Sequence, residues 1–214
     1  GSTMASAGSI IGTFVVVGLY VTFLLVERQT FNVKIENVST DPRQVARLRQ
    51  IIANINARVG SYLALKGLLG VALGVISWVI LRLIGVEFAA FWGILIAMLN
   101  FVPYIGSFLS VALPVLLAVV QFGDFNTVLL VLVSLSVVQF VIGNFLDPYL
   151  MGNSLNLSPF VILVSLTVWS ALWGIAGAFL AIPITAILAI VFSEFDGTRG
   201  IAILLSRSGT LSTS

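Results

Sequence analysis

Residues 89 to 120 read AAFWGILIAMLNFVPYIGSFLSVALPVLLAVV. The run is apolar enough for hydrocarbon, yet NFVPYIG interrupts its middle and Pro114 follows. Lipid offers no water to free backbone groups, so irregular backbone at membrane depth needs protein or a wet cavity around it. A proline there also frees a carbonyl and bends the axis. The segment must therefore be a kinked crossing or a helix that turns back.

Composition says why lipid is the frame. Of 214 residues, 59% are hydrophobic and 8% are charged, against about 25% charged in soluble domains. Such a chain cannot cover its own surface with polar groups, and a bilayer is its natural solvent. The net charge of +2 is too small for a nucleic-acid footprint. Cysteine and histidine are both absent, which removes disulfides, Cys/His zinc sites and thiol or imidazole catalysis.

Residues 1–8, opening GSTMAS, read as an expression scar. Ser9 to Val26 is predicted to span the membrane. Residues 27–60 form a charged cytoplasmic region. Within it Asp41 is a predicted N-cap and Pro42 the first helical residue. Val45, Leu48, Ile52, Ile55 and Val59 fall on one face, with Arg43, Arg47, Gln50, Asn54 and Arg58 opposite. That amphipathic helix either packs on its own protein or lies on the anionic inner leaflet.

The membrane domain covers residues 61–192. It has predicted spans at 61–85 and 127–143 and expected hairpins at 88–122 and 160–192. Lys66 and Arg82 lie near the ends of the first span, where cations snorkel and need no partner. Gly67, Gly70 and Gly74 would let a neighbouring helix approach closely. A loop, NFLDPYLMGNSLNLSP, carries Asp147 as its sole charge. The polar tail, residues 193–214, is expected to be cytoplasmic.

Charge counting limits the topology. Six of the ten cations lie between Arg28 and Arg58, and two lie in the tail. Both regions belong inside, so an even number of crossings separates them. Either the broken runs are two full spans each, giving six crossings, or they are re-entrant hairpins, leaving two. Their halves are short of the ~20 residues that spanning takes, which favours hairpins.

Broken helices in corresponding places point to a transporter's binding site, and NFVPYIG and WGIAGAFLAIP are such a pair. Asn100, Tyr104 and Gly106 beside Pro103 should face a cavity or each other, because polar groups are costly in lipid. The plainer reading is a pair of structural kinks. Asp147 before Pro148 either starts a turn or binds a cation or relays a proton. Glu87 and Asp124 are expected to be solvated, and Gln121 and Gln139 to join helices. No paired carboxylates, phosphate loop or triad appear, so no enzyme activity and no cofactor are expected.

The segments YLALKG, FWGILIAMLNFVPYIGS and DPYLMGNSLNLSPFVILVSLTVWSALWGIAGAFLAIPI closely resemble the autoinducer-2 exporter family of bacterial and archaeal membrane proteins, from about Tyr62 to Phe192. The resemblance implies an all-α, polytopic inner-membrane protein and a homo-oligomer without enzymatic activity. Some relatives are regarded as exporters of autoinducer-2 and others as sodium/proton antiporters. By motif, Asn100, Pro103, Tyr104, Gly106, Asp147, Pro148 and Gly152 carry over. Leu157, Ser158, Pro159, Trp173, Gly174, Gly177 and Pro183 do so as well. Relatives often have Glu where Asp147 stands, and they usually begin with further spans, so a chain shortened at its N-terminus, or a short relative, is expected.

The resulting expectation is a secondary transporter subunit moving a small polar solute outward. Both broken segments would line its path, Asn100 and Tyr104 would supply hydrogen bonds, and Asp147 would sit at the cytoplasmic mouth. A sodium/proton antiporter and a non-transporting oligomeric scaffold are the alternatives. Expected partners are the bilayer, further copies of the chain, and a small polar solute or monovalent cation, with no nucleic acid.

Overall fold

A computed structural model describes residues 41–151 and 155–210, with isolated positions between 19 and 37. The expected span Ser9 to Val26 and the motif residue Gly152 lie largely or wholly outside the described residues. Contacts divide the chain into two units, Gly1–Ala53 and Asn54–Ser214. Among the described residues there is no strand, save one isolated bridge between Leu157 and Ser206.

In the first unit Asp41 caps helix α1 (Pro42–Ile84), accepting a 2.9 Å bond from the Arg43 N–H. Pro42 follows as the first helical residue, where its missing N–H costs nothing. The expected amphipathic helix and the span after it are one element of 43 residues. Gly60 does not interrupt it, because one helical glycine costs only about 1 kcal/mol.

The second unit continues with α2 (Ala89–Leu99), α3 (Ile105–Phe122) and α4 (Phe125–Val141). After α4, the π-helical turn Ile142–Leu146 leads into α5 (Asp147–Met151), and α6 (Pro159–Glu194) and α7 (Arg199–Leu205) complete it. Part of the loop expected after residue 143 is thus helical. The Asp147 N–H reaches back to the Ile142 carbonyl, and the Asn144 side chain donates to the Phe140 carbonyl. That wider turn carries the helix into Pro148, which has no N–H to give.

Two glycines of the expected stripe in α1, Gly70 and Gly74, do allow close approach, whereas a Cβ on Gly67 would meet nothing within 4 Å. A Cβ on Gly70 would lie 2.8 Å from the Ala97 carbonyl oxygen, and one on Gly74 2.5 Å from that of Gly93. Close approach builds the main core, where Leu69, Leu73 and Leu81 of α1 meet Ile96, Ala118, Val131 and Leu135. Gln121 closes the far end of this layer. Its amide donates to the Gly85 carbonyl and accepts from the Glu87 N–H, both at 2.8 Å.

Both broken runs fold back on themselves as helix–turn–helix units, a geometry common to paired crossings and re-entrant hairpins. Helices α2 and α3 are joined by a tip at residues 100–104, and Gly106 packs directly on the Leu99 carbonyl. At the tip Tyr104 sits at φ 60, ψ −60, and the Ile105 N–H bonds the Pro103 carbonyl at 2.6 Å. This is a γ-turn with positive φ, a strained form. In α6 the break is at Gly174, with φ 61 and ψ −137. The Trp169 indole donates to the Thr185 hydroxyl at 3.1 Å, whereas a straight helix would hold those residues about 24 Å apart. Gly177 packs on the Trp169 carbonyl as Gly106 does on that of Leu99. Although α6 is long enough to cross a membrane, it folds back on itself at Gly174.

Among the described residues, four helical stretches are long and apolar enough to cross a membrane: Pro42–Ile84, Ile105–Phe122, Phe125–Leu150 and Pro159–Glu194. Large apolar side chains such as Leu83, Val120, Phe125 and Ile175 are exposed on them. In water this surface would be unstable; in lipid it needs no cover.

Candidate functional site

The first hairpin brings its tip against α1 and α4 around a cavity of about 820 Å³. Asn100, Pro103 and Tyr104 line it from the tip, Ser107 from α3, and Ser136 and Gln139 from α4. Asn144 and Asp147 extend the lining through the π turn, and Lys66 faces them from α1. Four residues singled out from sequence, Asn100, Pro103, Tyr104 and Asp147, therefore share one cavity.

The Lys66 ammonium lies 2.6 Å from Asp147 Oδ2, across 81 residues of sequence. Its side chain is 8% exposed and that of Asp147 23%. Lys66 does not snorkel to an interface, contrary to the expectation. It is held in the interior because a carboxylate there neutralises it. Removing one partner from a buried pair costs about 3–5 kcal/mol, since a lone charge remains. Two further polar atoms, Asp147 Oδ1 and Asn100 Nδ2, are buried without a partner among the described residues. Such atoms are expensive unless water or a ligand meets them. Neither atom has appreciable accessible surface, and Asn100 Nδ2 lies towards Gly70; the cavity wall itself offers hydroxyls, amides and a neutralised ion pair.

The other motif residues lie elsewhere. Gly106 sets the closeness of the hairpin arms, and Pro148 is exposed beside Asp147 without lining the cavity. In the second hairpin Gly174 forms the apex and Gly177 the arm contact. Trp173 is half exposed with its ring near that of Trp169, and Pro183 is buried in the returning arm. Val102 from the first tip packs with Leu166 and Ala181 of α6. The second hairpin therefore supports the first and contributes no lining to this cavity.

Ser158 and Pro159 start α6 at its base, where the Ser158 N–H donates to the Leu205 carbonyl at 2.9 Å. Leu157 is buried there with Val59, Tyr62 and Ile182. Sequence reading missed Lys66, Ser107, Ser136 and Asn144 and treated Gln139 as helix glue. Ser136, Gln139 and Gly143 recur at three- and four-residue spacing along an apolar helix. That polar stripe was the available signal.

A multi-pass, all-helical membrane protein with paired helical hairpins and a half-open cavity of mixed polar and apolar lining is the class that this fold defines. The chain belongs to the AI-2E transporter family, which it matches over residues 1–196. It is 33% identical over 201 residues to a protein of Borreliella burgdorferi that is provisionally named for transport, covering 94% of this chain and 55% of that one. It is 35% identical over 189 residues to the AI-2 transport protein TqsA of Escherichia coli, covering 88% and 54%. YhhT of the same organism, also provisionally named for transport, is 37% identical over 186 residues, covering 86% and 52%. The chain spans about half the length of these relatives.

Proposed function

We propose that the chain is part of a secondary transporter that moves a small polar solute outward across a prokaryotic inner membrane, as a homo-oligomer. The observation that carries this is the cavity of about 820 Å³ at the tip of the first hairpin. Its size falls in the usual range of small-molecule sites, about 300–1,000 Å³. Its mixed lining, hydroxyls and amides beside Phe108, Leu132 and Phe140, suits a small neutral solute with hydrogen-bonding groups, and autoinducer-2, named for the relative TqsA, is the first to test. The length of one arm supports re-entry: α2, with 11 residues, is about 16 Å long in a hydrocarbon core of about 30 Å, whereas α3 is long enough to cross.

The test is efflux of autoinducer-2 from liposomes that contain the chain. Flux above protein-free vesicles, reduced at least severalfold by Asn100→Ala, supports the reading. Flux equal to that of protein-free vesicles rejects it.

Sodium/proton antiport is the second reading, favoured by the buried, unpartnered Asp147 Oδ1. It requires Asp147→Asn to abolish sodium-driven proton movement in the same vesicles. Unchanged exchange in that variant would remove it.

A further inference from the structure

We infer that Lys66 is a tethered cation: its ammonium fills the place that a free monovalent cation would take on Asp147. The inference rests on the cavity being the working site, yet its readout is cation binding and does not require solute transport.

The ammonium contacts Oδ2 at 2.6 Å and is almost wholly buried, so it is a fixed part of the cavity wall. Among the residues lining the cavity, Lys66 and Asp147 carry all the formal charge. Their charges cancel, so the site is neutral as built. Neutralisation matters because an unpaired ion in a low-dielectric interior is not tolerated.

Without the ammonium, the cavity would hold one unpaired carboxylate, with the Asn144 side chain one helical turn away on the same stretch. Oδ1 already lacks a partner, and Oδ2 would lose its own. Carboxylate and amide oxygens are ligands that hard cations prefer. Lys66 therefore sets specificity: while it is in place, the site resists free sodium and is open to a neutral solute. Any cycle that separates α1 from α5 must break this bond, so Lys66 takes the part that a dissociating ion takes in an ion-coupled carrier.

The test compares thermal midpoints of the purified chain in sodium chloride and in choline chloride at equal ionic strength. The wild-type midpoint should be the same in both salts. Lys66→Gln should be stabilised by sodium, by roughly 3–6 °C when sodium is about tenfold above its dissociation constant. Lys66→Gln combined with Asp147→Asn should lose that response. If Lys66→Gln folds only in sodium, the same conclusion follows from folding yield. A wild-type chain stabilised by sodium, with the effect lost in Asp147→Asn, would overturn the inference. So would a Lys66→Gln chain indifferent to sodium, or one unfolded in both salts while the double variant folds.

Discussion

The rings of Phe101 and Phe179 stack with centroids 4.3 Å apart and planes 20° from parallel, so the tip of the first hairpin rests on the returning arm of the second. Both breaks in the sequence thus serve one assembly: one hairpin forms the cavity and the other fixes where its tip stands.

That contact should be measurable as a coupling. Aromatic pairs contribute about 0.5–1.5 kcal/mol beyond their burial. A double-mutant cycle with Phe101→Leu and Phe179→Leu, read by denaturation of the purified chain, should return a coupling in that range. Strict additivity would mean that the rings touch without holding the tip.

Gly106 and Gly177 each meet a carbonyl on the opposite arm so closely that no Cβ fits. Gly106→Ala and Gly177→Ala should each destabilise by at least the ~1–3 kcal/mol typical of overpacking. Gly60→Ala is the control, because a Cβ there would meet nothing within 4 Å. It should be neutral or stabilising by up to about 1 kcal/mol. Equal midpoints for all three variants would contradict the hairpin geometry.

Asn156 clamps the C-terminal segment to the base of α6. Its side chain donates to the Thr210 carbonyl at 3.0 Å, and its own carbonyl accepts from the Arg207 N–H at 3.0 Å. It also holds φ 45, a left-handed conformation that Asn tolerates better than Ala. Asn156→Ala should therefore free the tail, and trypsin should cut after Arg207 severalfold faster than in the wild type. An unchanged cutting rate would show that the clamp is held by other contacts.

Asp124 begins α4, accepting from the Thr127 hydroxyl at 2.7 Å and the Thr127 N–H at 2.9 Å. These bonds, the hydroxyl first, hold its carboxyl below the usual range. A lowered folded-state pKa adds stability that is present above the unfolded value, about 3.9, and is lost as pH falls through the folded one. Wild type should thus exceed Asp124→Asn in stability near neutral pH, and the difference should shrink below about pH 4. A difference that grows on acidification would reverse the assigned sign.

The helical class and both breaks were legible because hydrocarbon tolerates so few exceptions to an apolar helix. Pro103 with Gly106, and Gly174 with Gly177, stand out in any such run. The cap at Asp41 and the bracing role of Gln121 were legible for the same local reason. Lys66 was not. A lysine near the start of a span looks like one that snorkels, and its partner lies on an element 81 residues away. Nor did the motif LNLSP explain itself, since Asn156 acts on residues some fifty positions later. The continuity of α1 was missed because charge changes abruptly near residue 60 while helix propensity does not.

The most direct measurement is the water accessibility of Tyr104. The chain has no cysteine, so Tyr104→Cys introduces a single reactive thiol at the hairpin tip, with Ile94→Cys as a control on the exposed apolar face of α2. In membranes, a charged, membrane-impermeant thiol reagent supplied on both sides should modify Tyr104→Cys and spare Ile94→Cys. A Tyr104→Cys chain as unreactive as Ile94→Cys would contradict a water-filled cavity at the tip and leave the hairpins as packing elements alone.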